Sequence, residues 1–113
     1  MGKGRPRQFY RQEVPKGVVK VVRAQCADYN RKKIAIKSGT LTEEIKRCYE
    51  ATNEAINDAL NDIEEACRGE FLIDIAENRG YYRSQINWML SEGAYYRRKA
   101  KAVYDIAHKL CLI

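Results

Sequence analysis

The sequence has few prolines, a single histidine and no closely spaced cysteines. His108 is the only histidine, which excludes zinc sites of the Cys2His2 kind and argues against catalysis by a serine–histidine or cysteine–histidine pair. The four cysteines form no CxxC pair, so reduced thiols are favoured over disulfides or bound zinc. A glycine-rich phosphate loop is also lacking. We therefore expect a protein that is not an enzyme and that binds no metal or cofactor.

Long apolar runs are absent as well. No stretch approaches the roughly 18 to 20 apolar residues that a membrane-spanning helix needs. The basic residues 1–7 are not followed by the apolar segment of a secretory signal. The sequence predicts a cytoplasmic protein without a membrane partner.

Charge is abundant and unevenly distributed. The formal net charge of the 113 residues is +6. Residues 1–41 carry eleven basic and two acidic side chains, residues 42–78 carry three basic and eleven acidic ones, and residues 79–113 carry seven basic and two acidic ones. This basic, acidic, basic arrangement favours a protein whose two ends face a polyanion. The alternative is that acids and bases pair between neighbouring helices.

The pattern of apolar residues predicts an all-α fold. Residues 1–13 are basic, contain two glycines and a proline and show no periodicity, which is typical of a flexible basic arm. Residues 14–113 are predicted to form a single helical domain. Its first helix begins at Pro15 and ends before Ser38-Gly39, with a short strand over 18–22 as the competing interpretation.

A long amphipathic helix is predicted next, over about residues 42–68. Thr40 and Glu43 form a capping-box pattern before it. Apolar residues then recur every three or four positions, among them Ile45, Ile56 and Ile63. This stripe fits either the core of a bundle within one chain or the seam of a homodimer.

Three short helices follow, and they predict a helix-turn-helix at about residues 70–110. Arg68-Gly69 marks a break before the first of them, which ends at 78–80. Ser84 caps the second, in which Trp88 is expected in the core. Ser91 caps the third, the candidate recognition helix at about 91–104.

The candidate DNA-binding residues cluster around that third helix. Its Ser91 cap is followed by tyrosines and cations, the side chains that hydrogen-bond to base edges and phosphates. Two arginines before the helix, and a lysine within it, would clamp the phosphate backbone. Arg5 and Arg7 of the arm would reach the minor groove or bind phosphates without specificity. The full set is Arg79, Arg83, Ser91, Tyr95, Tyr96, Arg97, Arg98, Lys99 and Lys101.

A resemblance adds to this interpretation. Residues 70–104 resemble the fourth-region helix-turn-helix of sigma factors, whose recognition helix often opens with a run close to Leu90-Ser91-Glu92-Gly93-Ala94-Tyr95. The segment from Tyr95 to Leu110 is similar to small phage-encoded transcription regulators of the ArpU and RinA kind. The resemblance implies DNA binding at phage or prophage promoters and activation of late genes.

The sequence thus predicts a DNA-binding transcriptional regulator of phage or prophage type. Double-stranded DNA is the expected partner, with RNA polymerase and a second copy of the chain as further candidates. The alternative function is a helical assembly factor that dimerises through helix 42–68 and has only non-specific affinity for nucleic acid. RNA binding also stays open, because the paired tyrosines at 81–82 and 95–96 could stack on exposed bases.

Overall fold

The computed structural model describes residues 14–113, and within this range the chain is helical with no β-strand. The helices are α1 (Lys16–Ala27), α2 (Tyr29–Ser38), α3 (Glu43–Leu60), α4 (Glu65–Glu77) and α5 (Glu92–Lys109), with a 3-10 turn at Tyr81–Arg83. The all-α prediction is confirmed for these residues. The predicted arm at 1–13 lies outside the described residues. No helix of residues 14–113 combines the length and apolar character needed to cross a membrane.

The N-terminal helical segment is two helices, where the sequence predicted one. It begins directly after Pro15, as expected, but is interrupted at Asp28, whose φ of −93° and ψ of 0° end α1. The carboxylate of Asp28 accepts a hydrogen bond from the guanidinium of Arg31 at 2.7 Å, and the backbone N–H of Lys32 donates to the carbonyl of Asp28 at 3.1 Å, so the two helices follow each other directly. Gly39, with a left-handed φ of 73°, ends α2. The competing strand at 18–22 is wrong, since these residues lie in α1.

The predicted helix over 42–68 is also wrong, because the chain turns between α3 and α4. Arg68 stabilises this turn from within α4. Its guanidinium donates hydrogen bonds of 2.8 to 3.1 Å to three carbonyl oxygens, those of Leu60, Asn61 and Ile63. A helix end leaves carbonyls short of backbone partners, although that of Leu60 also accepts the N–H of Ile63 at 3.0 Å. The break predicted at Arg68-Gly69 is therefore misplaced, and both residues are helical.

The start of α3 is set by a different threonine from the one predicted. The hydroxyl of Thr42 accepts a hydrogen bond from the N–H of Ile45 at 3.3 Å. The hydroxyl of Thr40 instead lies 2.8 Å from that of Ser38. The capping box predicted from Thr40 and Glu43 is consequently not formed.

The core lies where α1, α3, α4 and α5 meet. Helix α1 packs across α4 and α5, and α3 packs against α5, whereas α2 packs mainly along α3. Ile56 and Ile63 of the predicted stripe are only 0% and 3% exposed and belong to this core. The second half of the apolar stripe therefore packs inside one chain, whereas Ile45 in its first half is 44% exposed.

The connection from α4 to α5 begins and ends as the sequence predicted. Asn78, in the left-handed conformation with φ 57°, closes α4, and the N–H of Arg79 donates to the carbonyl of Asp74 at 2.8 Å. At the other end, the hydroxyl of Ser91 accepts a hydrogen bond from the N–H of Ala94 at 3.1 Å and caps α5.

The short helix predicted from Ser84 is not formed. Residues 81–90, which we call the 81–90 loop, contain the 3-10 turn followed by non-helical turns. The hydroxyl of Tyr81 shares its proton between the carbonyl oxygens of Asn87 and Leu90, each 2.8 Å away. These carbonyls are thus bonded to a side chain and not to N–H groups of a helix. Trp88, expected in the core, is 78% exposed.

Candidate nucleic-acid interface

Tyr95 does not face a nucleic acid. Its side chain is 0% exposed, its ring stacks on Phe71 with centroids 5.1 Å apart, and its hydroxyl donates to a carboxylate oxygen of Asp74 at 2.9 Å. Burial and the Asp74 carboxylate raise the pKa of the Tyr95 hydroxyl well above its usual value. The predicted role of Tyr95 in DNA binding is therefore wrong, because this residue joins α5 to α4.

Tyr96 and Ser91 are both engaged in local structure. The hydroxyl of Tyr96 accepts a hydrogen bond from the backbone N–H of Tyr81 at 3.0 Å, although 36% of the residue is exposed. The hydroxyl of Ser91 is the cap of α5. Ser91 itself is exposed, so the cap holds the first turn of α5 at the protein surface.

Two of the predicted cations on α5 form ion pairs with the turn between α3 and α4. Arg98 donates two hydrogen bonds to the carboxylate of Glu64, at 3.0 and 2.8 Å, and this contact holds the pKa of Glu64 below its usual value. Lys101 lies 2.7 Å from both Asp62 and Asp105. Apart from the pair of Lys101 with Asp105 within α5, these charges pair between α5 and the turn from α3 to α4, which agrees with the alternative that the charge pattern had left open.

Arg79 and Lys99 are likewise bound within the protein. Arg79 forms an ion pair of 2.8 Å with Glu77 and lies 3.8 Å from Glu70. The ammonium group of Lys99 donates to the carbonyl oxygen of Arg79, and burial lowers the pKa of Lys99. These contacts hold both side chains against the protein.

Arg83 and Arg97 differ from the other predicted cations. Both are exposed, and neither forms an ion pair or a side-chain hydrogen bond with any residue in the range 14–113. Arg83 ends the 3-10 turn, and Arg97 lies in the second turn of α5. A Cβ placed on Gly93 would lie 3.6 Å from Nη1 of Arg97, so this guanidinium lies beside the first turn of α5. Arg83 directly follows Tyr82, whose hydroxyl bonds to Glu92, so both arginines belong to segments at the N-terminal end of α5.

The predicted set of DNA-binding residues leaves out two aromatic residues in the same region, although the tyrosine pair at 81–82 was considered for stacking on RNA bases. Tyr82 is 75% exposed and Trp88 is 78% exposed, and both belong to the 81–90 loop. No signal in a single sequence separates an exposed tryptophan from a buried one, because both occur in apolar surroundings such as Trp88-Met89-Leu90. We define the candidate interface as Tyr82, Arg83, Trp88 and Arg97 together with the first turn of α5.

Two carboxylates of α4 hold the elements that carry this interface. Asp74 is 0% exposed, and one of its oxygens has no hydrogen-bond partner. Glu70, one turn earlier, accepts a hydrogen bond from the N–H of Gln85 at 3.0 Å. Burial and the neighbouring Asp74 raise the pKa of Glu70. The two carboxylates thereby tie α4 to α5 and to the 81–90 loop.

Comparison with known proteins adds no homologue to these observations. No family model, no curated protein and no solved structure matches the chain. The candidate interface is therefore argued from its own geometry and charge.

Proposed function

We propose that the protein binds double-stranded DNA through the candidate interface and acts as a transcriptional regulator. The observation that carries the proposal is the pair of exposed arginines, Arg83 and Arg97, which have no partner in the described part of the chain. Arginine without an internal carboxylate partner is available for bidentate contacts to phosphate or to guanine. The regulatory role, at phage or prophage promoters and in contact with RNA polymerase, is the part of the proposal that rests on the resemblance.

The N-terminal end of α5 supports the same proposal. The first N–H groups of a helix point outward, and the helix dipole favours an anion there. Ser91, Glu92 and Gly93 at this end are exposed, which leaves a phosphate room to approach. Glu92 opposes this attraction, but its carboxylate also accepts a hydrogen bond from Tyr82 at 3.0 Å. The interface proposed here is smaller than the predicted one, with two arginines in place of six cations.

A salt titration with labelled duplex DNA tests the proposal. The double variant Arg83→Ala/Arg97→Ala should lower the affinity and reduce the slope of log K against log salt by about two if both arginines contact phosphates. The matched control is Lys33→Ala/Arg47→Ala, which removes the same charge from exposed positions on α2 and α3. Equal losses in both variants would leave only general electrostatic attraction and contradict the assigned interface.

Selection from a pool of random duplexes then separates regulation from general affinity. Enrichment of a common motif by the unmodified protein, lost in the Arg83→Ala/Arg97→Ala variant, is the expected result for a regulator. Retention of DNA without any motif would contradict sequence-specific regulation.

The alternative function, a dimerising assembly factor, loses part of the feature that favoured it. Its seam was the apolar stripe of residues 42–68, and Ile56, Leu60 and Ile63 of that stripe are buried within one chain. A dimer would have to use the exposed first half of α3 around Ile45, or another surface.

A further inference from the structure

Trp88 is the only tryptophan of the chain, and its position is unusual for this residue type. Tryptophan is highly buried on average, whereas Trp88 is 78% exposed. Its indole N–H donates to the carbonyl oxygen of Gln85 at 3.1 Å, within the 81–90 loop. The only polar group of the side chain is therefore already bonded. What Trp88 offers to a ligand is the apolar, polarisable surface of its ring.

Tyr82 is held in a similar way. It is 75% exposed, its hydroxyl donates to Glu92, and its carbonyl oxygen accepts a hydrogen bond of 3.5 Å from the amide of Asn87. The bond to Asn87 and those of Tyr81 connect residues within the 81–90 loop, and the bond to Glu92 joins the loop to α5. An aromatic side chain fixed in its own loop loses less conformational entropy when a ligand stacks on it.

The chemistry around the two rings favours a nucleobase over other flat ligands. Arg83 directly follows Tyr82 and is unpaired within the described residues, so a phosphate attached to the stacked group would meet a cation. Every base has a π-face, and proteins that stack on bases combine such aromatic residues with basic ones. Stacking needs a base whose face is accessible, as at a kinked step or beside an unpaired nucleotide.

We infer that Trp88 stacks on a nucleobase exposed at a kinked or unpaired step of the DNA that Arg83 and Arg97 hold. This inference rests on the proposed function and adds the feature of DNA that the 81–90 loop recognises. It predicts tighter binding to a duplex with one unpaired nucleotide than to the same duplex fully paired.

Fluorescence of the unmodified protein provides the test, because all tryptophan emission comes from Trp88. Titration with a duplex carrying one unpaired nucleotide should quench this emission. In parallel, anisotropy of a labelled copy of that duplex should show that Trp88→Ala weakens binding about tenfold or more, the usual loss when a stacking residue is removed. Trp88→Phe should retain most of the affinity. Met89→Ala, at the adjacent and partly exposed residue, is the matched control and should bind normally.

The outcomes separate the inference from the proposed function. If the duplex binds with unchanged emission and Trp88→Ala has normal affinity, while Arg83→Ala/Arg97→Ala is weakened, the stacking inference is wrong and DNA binding stands. If no duplex, paired or unpaired, binds to the unmodified protein, both are wrong. Thermal unfolding of each variant checks that an exposed substitution has left the fold intact.

Discussion

At the scale of single residues, Tyr95 shows how a side chain suited to DNA recognition can serve the fold. Its hydroxyl donates a hydrogen bond to one carboxylate oxygen of the buried Asp74. The other oxygen of Asp74 has no hydrogen-bond partner. A buried acceptor that loses its donor costs about 1–3 kcal/mol. Tyr95→Phe should therefore lower the free energy of unfolding by about this amount in a urea titration.

The affinity of Tyr95→Phe for duplex DNA distinguishes the two roles of this residue. Since the hydroxyl is buried, the variant should bind DNA with the affinity of the unmodified protein at a temperature where both are folded. A loss of affinity without a loss of stability would restore Tyr95 to the interface.

Glu70 gives a prediction about pH at the same scale. Its pKa in the folded protein is raised, chiefly by burial and next by Asp74, so the folded state holds the proton more tightly than the unfolded state. Stability then falls as the pH rises above the ordinary carboxyl value of 4.5. Glu70→Gln should be more stable than the unmodified protein at neutral pH, and the difference should disappear in acid. Urea midpoints measured across the acid to neutral range check this, and a constant difference at every pH would contradict it.

At the scale of elements, Arg68 determines where α3 ends. Removing its guanidinium takes a donor from three carbonyl oxygens at the turn, of which that of Leu60 keeps the N–H of Ile63. The loss should cost about 1–2 kcal/mol because the group is partly exposed. We therefore expect Arg68→Ala to lower the midpoint of urea unfolding. Arg47→Ala, an exposed arginine on α3, is the matched control and should change stability by less than about 0.5 kcal/mol. Equal midpoints for the two variants would show that the turn does not depend on Arg68.

Four helix ends marked by local residues were predicted from the sequence, whereas the local cap at Thr42, the interruption at Asp28 and the end made by a distant contact were not. Pro15, Gly39, Asn78 and Ser91 act through their own backbone or through a neighbour within three residues, and each was read correctly. The end of α3 depends on Arg68, eight residues beyond Leu60, and on the fold that brings the two together. The regular spacing of apolar residues continues across this turn, so the spacing does not reveal where α3 ends.

The same distinction explains the outcome for the candidate site. A basic residue in a sequence can face solvent or an acid on another helix, and the partners of Arg98 and Lys101 lie 34 and 39 positions away. Charge composition therefore predicted a basic end of the chain but not which cations are free. Arg83 and Arg97 stay free because the described helices bring no carboxylate to them.

At the scale of the whole molecule, the arrangement of helices separates a core from a thinner extension. All five buried residues of α3 lie at position 53 or later, so its first half is covered only on one side, by α2. Ile34 and Ile45 in this extension are 70% and 44% exposed. The candidate interface belongs to the other part, where α4, the 81–90 loop and α5 are joined by Tyr95, Asp74 and Glu70.

The position of a residue in the core or in the extension determines how strongly a charge introduced there should destabilise the fold. Ile56 is 0% exposed and packs in the core with α1, α4 and α5, so Ile56→Glu buries a charge without a partner and should abolish cooperative thermal unfolding. Ile34→Glu, the control in the exposed extension, should unfold at nearly the temperature of the unmodified protein. If Ile56 lay instead on a dimer seam, Ile56→Glu would give a folded monomer in place of a dimer in sedimentation. Circular dichroism and sedimentation of the same two samples distinguish these results, and a folded Ile56→Glu monomer would contradict the single-chain core described for α3.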